Sequence, residues 1–165
     1  MLILFSCEPE EKKQIKPYEG PLREMENVEV LHTERDNLKV KVLADKIVEF
    51  QDGDQEFPEG IYLEFFDEFG AISSTLRADH AYRFKKDNKW RGRGDVQVKN
   101  FEKQQQLNTE ELFWEPATKK IYTDKFVTIR DRRDVIYGTG LDADQNLTNY
   151  VITKPEGEFE VADDQ

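Results

Sequence analysis

From residue 25 onward, apolar and polar residues alternate in short runs, the period of half-buried β-strands and not of helices. Val28, Val30 and His32 fall on one face of a first strand. Leu38, Val40 and Val42 fall on one face of the next, which residues 47–50 continue. Gln51-Asp52-Gly53-Asp54 supplies a turn, with glycine free to take positive φ. Residues 60–66 read as a further strand, closed by Asp67-Glu68-Phe69-Gly70. The clearest hairpin follows. Leu76, Ala78, His80, Tyr82 and Phe84 share a parity, residues 85–89 turn, and Val96 and Val98 share a face of the returning arm. Residues 107–114 and 121–130 pair around a turn at 115–120, and a last strand carries Leu147, Asn149, Val151 and Thr153 before Pro155 ends it. Thr109 is placed to cap a helix, but Pro116 follows too soon for one to propagate.

A phrase recurs within this pattern: an apolar residue, then a small residue and an acid. It stands as Leu43-Ala44-Asp45, Leu76-Arg77-Ala78-Asp79, Leu107-Asn108-Thr109-Glu110 and Leu141-Asp142-Ala143-Asp144. Ala44 to Ala78 is 34 positions, Ala78 to Thr109 is 31, and Thr109 to Ala143 is 34. Such a period is one supersecondary unit used again, about two strands with their turns. A unit of that size cannot bury its own apolar face, so neighbours stack on it and leave an elongated β structure with two open ends.

Composition sharpens the picture. A chain of 165 residues is one domain with room for a core. A net charge of -11 and a pI near 4.8 argue against nucleic acid and against a broad electrostatic grip on anionic headgroups. Aromatic residues make up 12% of a chain whose mean hydropathy is -0.81, so the rings belong in a core, a groove or an interface. No stretch approaches the ~20 apolar residues of a membrane-spanning helix.

Cys7 is the single cysteine, so no disulfide forms within the chain. Its setting, Met1-Leu2-Ile3-Leu4-Phe5-Ser6-Cys7 before the charged residues 8–13, resembles a bacterial lipoprotein cleavage site. That reading makes residues 1–7 a signal remnant with Cys7 as an acylated anchor. The alternative is an apolar N-terminus with a free thiol, since the six residues before Cys7 are short for a signal peptide and lack its basic start. Residues 8–24, with Pro9, Pro17, Gly20 and Pro21, read as a flexible tether, residues 25–154 as the β domain, and residues 155–165 as an acidic tail.

Catalytic and metal chemistry find little support. His32 and His80 belong to no ligand cluster, and no cysteine pair exists for zinc. Ser73 and Ser74 lack the glycines of a nucleophile elbow. Gly92-Arg93-Gly94 and Gly138-Thr139-Gly140 precede no helical period, so they ease bends and do not bind phosphate. Asp45, Asp79, Glu110 and Asp144 read as solvent-facing acids beside turns, and a hydrolase using Asp79 and Glu111 lacks an activated nucleophile. The expectation is a protein with no cofactor and no catalysis. The aromatic residues Tyr82, Phe84, Trp90, Phe101, Phe113, Trp114, Tyr122 and Phe126 fill either a closed sandwich core or an incompletely closed one that accepts an apolar ligand.

Four phrases in order then carry a resemblance: Leu76-Arg77-Ala78-Asp79-His80-Ala81, Gly94-Asp95-Val96-Gln97-Val98-Lys99-Asn100, Leu107-Asn108-Thr109-Glu110-Glu111-Leu112 and Gly138-Thr139-Gly140-Leu141. Over about residues 25–153 the chain resembles the LptC family of lipopolysaccharide-export proteins, within a wider LptC, LptA and OstA-like group. The resemblance implies an all-β fold, a single open antiparallel β-jellyroll of stacked strands in two sheets. It implies a non-enzymatic protein on the periplasmic face of the inner membrane of a Gram-negative envelope. Such a protein takes lipopolysaccharide from an inner-membrane ABC transporter and passes it to an LptA-like bridge protein. In that reading the lipid A acyl chains lie in a groove lined by Leu76, Ala78, Tyr82, Phe84, Val96, Val98, Phe113, Ile121, Val127 and Ile129. The first strand, with Val28 and Val30, faces the transporter. The last, with Asn149 and Val151 and shaped by Gly140, faces the bridge protein. The family's usual N-terminal transmembrane helix has no counterpart here, and Cys7 offers a lipid anchor in its place. The rival reading is a structural or adhesive β-repeat lipoprotein with a dry core and no ligand.

Overall fold

The computed structural model describes residues 16–157, so Cys7 and the acidic end of the tail lie outside the described residues. The alternation of apolar and polar positions is realised as eleven strands in one antiparallel sheet. They are β1 (Arg23–Glu34), β2 (Asn37–Glu49), β3 (Gln55–Phe57), β4 (Ile61–Phe66), β5 (Ile72–Ala78), β6 (His80–Phe84), β7 (Lys89–Asn100), β8 (Gln105–Glu115), β9 (Lys120–Arg130), β10 (Val135–Asp144) and β11 (Tyr150–Glu156). The all-β reading therefore holds.

Register shows how the strands combine. β3 and β4 pair successive parts of β2, while β6 and β5 pair successive parts of β7. Thus β3–β4 and β5–β6 are each one long strand bent in the middle, and the sheet is a meander of nine such strands from β1 to β11. Nearly every long strand is bent at the same level. Register breaks fall between Arg93 and Val96, Thr109 and Phe113, and Thr139 and Leu141. Positive φ accompanies them at Asn27, Gly60, Gly94, Asp95 and Gly140. These corners fold the sheet into two layers packed face to face. The first layer holds β3, β6 and the neighbouring halves of β7–β10 (89–93, 111–115, 120–123, 141–144). The second holds β4, β5 and the other halves (96–100, 105–109, 127–130, 135–139).

The recurring phrase marks the corner in three of its copies, Ala44-Asp45, Ala78-Asp79 and Thr109-Glu110. A small residue is needed on the inside of the bend: a Cβ on Gly92 would sit 3.0 Å from the Ala78 Cβ. The acid faces out, where Asp79 takes Arg77 at 2.7 Å while the same guanidinium reaches Asp95 at 2.5 Å, tying two corners together. The fourth copy differs. Ala143-Asp144 ends β10, and Gly140 (φ 83) makes that strand's corner instead.

The core lies between the layers. Leu76, Val96, Val98, Leu107, Ile121, Val127 and Ile129 are all buried there. Phe65 of β4 meets Trp114 of β8 edge to face at 5.3 Å, and Trp114 in turn packs on Trp90. The contact between β4 and β8 shows that the twisted layers cross: the first layer's β8 lies over the second layer's β4, four strands back in the chain.

Two sequence expectations are corrected. Leu147 does not lie in the last strand, which begins at Tyr150; it belongs to the turn before it. Pro155 does not end that strand, which runs on to Glu156. A proline is tolerated there because β11 is an edge with a single partner.

Candidate functional site

The inner faces of the two layers form one apolar surface that runs the full width of the sheet. At the β1 end, Val28 and Val30 pair with Ala44 and Val42 and continue the inner face outward, with Val30 45% exposed. At the β11 end, Tyr150 and Ile152 pair with Ala143 and Leu141 and are half-buried against the core. Between these ends the interior is packed. A crevice at its centre, bounded by Leu63, Leu76, Trp90, Leu112 and Trp114, has room for roughly one water molecule. The inner surface is thus largely apolar, broken by buried Ser74, Asn100, Thr109 and Thr123, and its layers are closed on each other.

Seven of the ten residues expected to line a groove are on this surface: Leu76, Ala78, Val96, Val98, Ile121, Val127 and Ile129. Tyr82, Phe84 and Phe113 are not. The bend at Asp79 uses up one residue, so the inward parity passes from Ala78 to Ala81, and Tyr82 and Phe84 turn outward. Phe113 faces outward between inward Leu112 and Trp114. These rings build an aromatic row on the outside of the first layer. Tyr82 stacks with Phe50 at 6.3 Å and meets Phe84 at a tilt at 4.7 Å, Phe113 stacks with Tyr122 at 5.4 Å, and Phe101 and Phe126 are about half exposed, outside the core. The Lys89 ammonium sits over both Phe113 and Tyr122. The Tyr82 hydroxyl donates to Asp54 at 3.2 Å, and burial together with that carboxylate pushes its pKa up to about 12.

The two edges differ in dressing. β1 is tied to β2 along its length and by ion pairs: Arg23 with Glu49 at 2.9 Å, Lys46 with Glu24 at 2.9 Å and Lys41 with Glu29 at 3.3 Å. Arg23 and then Gln55 donate to the Glu49 carboxylate and hold its pKa below the usual range. β11 leans on β10 alone, and Val151 on its outer face is 68% exposed. Gly140 is buried at the β10 corner, where a Cβ would lie 2.9 Å from the Thr153 hydroxyl. Asn149 is exposed in the turn before β11. Among the described residues His32 contacts Glu34 and His80 contacts Glu56 at 2.8 Å, and no three metal-ligating side chains converge.

This geometry, a bent all-β meander with an apolar interior and two free edges, is joined by a family match. The profile described as lipopolysaccharide-assembly, LptC-related, matches residues 3–153. The chain belongs to the LptC family. LptC proteins are components of lipopolysaccharide transport in the Gram-negative envelope. Comparison with curated proteins returned no match. The feature missed from sequence is the turn that carries Leu147, which is completely buried. Its signal was there in part: Asp144, Asn146 and Asn149 are turn formers crowded around one leucine.

Proposed function

We propose that the protein is a non-enzymatic carrier that receives lipopolysaccharide from an inner-membrane ABC transporter and hands it to an LptA-like bridge protein. Lipid A acyl chains part the two layers and lie on the inner surface, while the phosphorylated sugar stays in water. The observation that carries this reading is the largely apolar inner face, which reaches exposed Val30 and half-buried Val28 on one edge and half-buried Ile152 on the other. Parting the layers costs about 1.5–3 kcal/mol for each large side chain uncovered, and each acyl methylene buried contributes about 0.8 kcal/mol. A lipid with several chains therefore has enough hydrocarbon to open a packed interior. The acidic surface fits a headgroup left in solvent. β1 serves the transporter side and β11 the bridge side by strand addition, in which backbone pairing supplies the joint. An acylated Cys7 and the tether after it would hold the carrier at the periplasmic face of the inner membrane.

The test is photo-crosslinking in cells with a light-activated residue at Val28, at Ile152 and, on the outer face, at Phe84. Lipopolysaccharide adducts at Val28 and Ile152 but not at Phe84 are expected. An exported, folded protein that gives no adduct at either inner position would favour the dry-core structural reading, for which the tight packing is the one supporting observation.

A further inference from the structure

The turn between β10 and β11 does not stand clear of the sheet; it crosses from the first layer to the second. Leu147 at its centre is 0% exposed and holds φ 56, a conformation a leucine rarely adopts. The Asp144 carboxylate shapes the turn, accepting the backbone N–H groups of Asn146 at 3.0 Å, Thr148 at 3.0 Å and Asn149 at 2.6 Å. On the first layer, Trp114 Nε1 donates to Gln145 Oε1 at 3.0 Å. On the second, the Ser74 hydroxyl donates to Asn146 Oδ1 at 2.8 Å, Asn100 Nδ2 donates to the Asn146 carbonyl at 2.7 Å, and the Lys103 ammonium reaches the Thr148 carbonyl.

Two features set this closure apart from the rest of the interior. Apart from the packing of Leu147 in the core, the links from the turn to the second layer are the polar ones just named, and such bonds exchange for water at small net cost. Ser74 and Asn100 are also polar residues on an otherwise apolar inner face, 0% and 5% exposed, and the turn supplies their partners. They are suited to a place that is sometimes wet. Resting on the carrier reading above, we infer that residues 144–149 form a displaceable strap. Leu147 occupies space that an acyl chain takes, and the strap lifts from Ser74 and Asn100 as lipid enters. Asn146 and Leu147 are then gating residues of the path.

A crosslink across the mouth tests this. Ser74→Cys with Asn146→Cys, in a Cys7→Ser background, places two thiols where hydrogen-bonded side chains now meet. Binding of fluorescein-labelled lipopolysaccharide is measured for the unaltered chain and for the double variant oxidised and reduced. The strap predicts that oxidation weakens binding by at least about tenfold relative to the same double variant reduced. Equal binding by oxidised and reduced protein overturns the strap and leaves the carrier reading in place. No binding even by the unaltered chain overturns the carrier reading and the strap with it. Hydrogen exchange gives a second readout that needs no disulfide. Added lipopolysaccharide should speed exchange at the amides of Asn146, Leu147, Thr148 and Asn149 while the strand amides hold. Unchanged or slower exchange there overturns the proposal.

Discussion

Gly138→Ala should detach the last strand without unfolding the core. Gly138 pairs with Pro155 of β11, and its backbone is one that any residue can adopt, so the expected effect is purely steric. A Cβ placed there would lie 2.3 Å from Ile152 Cγ2, 2.6 Å from the Lys154 carbonyl oxygen and 3.0 Å from Pro155 Cα. The isoleucine methyl can rotate away, but the other two atoms are backbone. Ordinary contact begins near 3.4 Å, so β11 must move by close to an ångström along this stretch. Overpacking of this kind costs about 1–3 kcal/mol. An edge strand with one partner relieves it most cheaply by letting go. β11 amides should therefore exchange roughly 10–100-fold faster, at about 1.4 kcal/mol per factor of ten, while those of β7 and β8 change little. Gly70→Ala is the contrast, because open space surrounds it and only its φ of 81 is strained. Native-state hydrogen exchange with chemical denaturation reads both. Unaltered β11 protection and an unaltered midpoint in Gly138→Ala would refute the reasoning.

Other expectations follow from the same geometry. Leu107→Ala, at a fully buried inner position, should lower stability by about 2–5 kcal/mol in urea unfolding, whereas Phe101→Ser, at a site 50% exposed, should stay within about 0.5 kcal/mol. The Tyr82 phenol is raised from 10.0 to about 12, so the neutral form favours folding. Its contribution is complete below pH 10 and is lost as pH climbs toward 12; Tyr82→Phe should flatten that alkaline decline in thermal melts. Glu49 runs the other way. Its lowered pKa gives stability that is present above its ordinary value of 4.5 and lost as pH falls through the folded value, so Glu49→Gln should blunt the acid side of the profile. Val151→Lys places a charge on the free edge strand, where it should leave the melting temperature unchanged and weaken capture of a bridge protein in a pull-down.

The strands were legible because alternation is a direct imprint of a sheet with one buried face. The corners were half legible. Small residue plus acid recurs at Ala44, Ala78 and Thr109 because the inside of a bend excludes bulk and the outside meets water. Ala143-Asp144 is locally indistinguishable, yet Gly140 had already bent that strand three residues earlier. Parity failed for the same reason. Alternation counted from Leu76 predicts Tyr82 and Phe84 inside, but a corner consumes a residue, and nothing in Asp79-His80 announces it. Leu147 was assigned to a strand because its burial comes from a tertiary crossing to Ser74 and Asn100, residues over forty positions away in each case.

The crossing of the layers has a consequence for direction. Neighbouring strands in a sheet rotate by roughly 20° each, always with the same hand. Eight such steps separate β1 from β11 in this nine-strand meander, and together they approach half a turn. A slit opened between the layers would therefore wind like a screw thread, with its two ends facing nearly opposite sides of the molecule. A strand added to β11 would continue the same thread at the same pitch. Any cargo passed along it would revolve about the axis as it advanced, arriving from one side and leaving by the other.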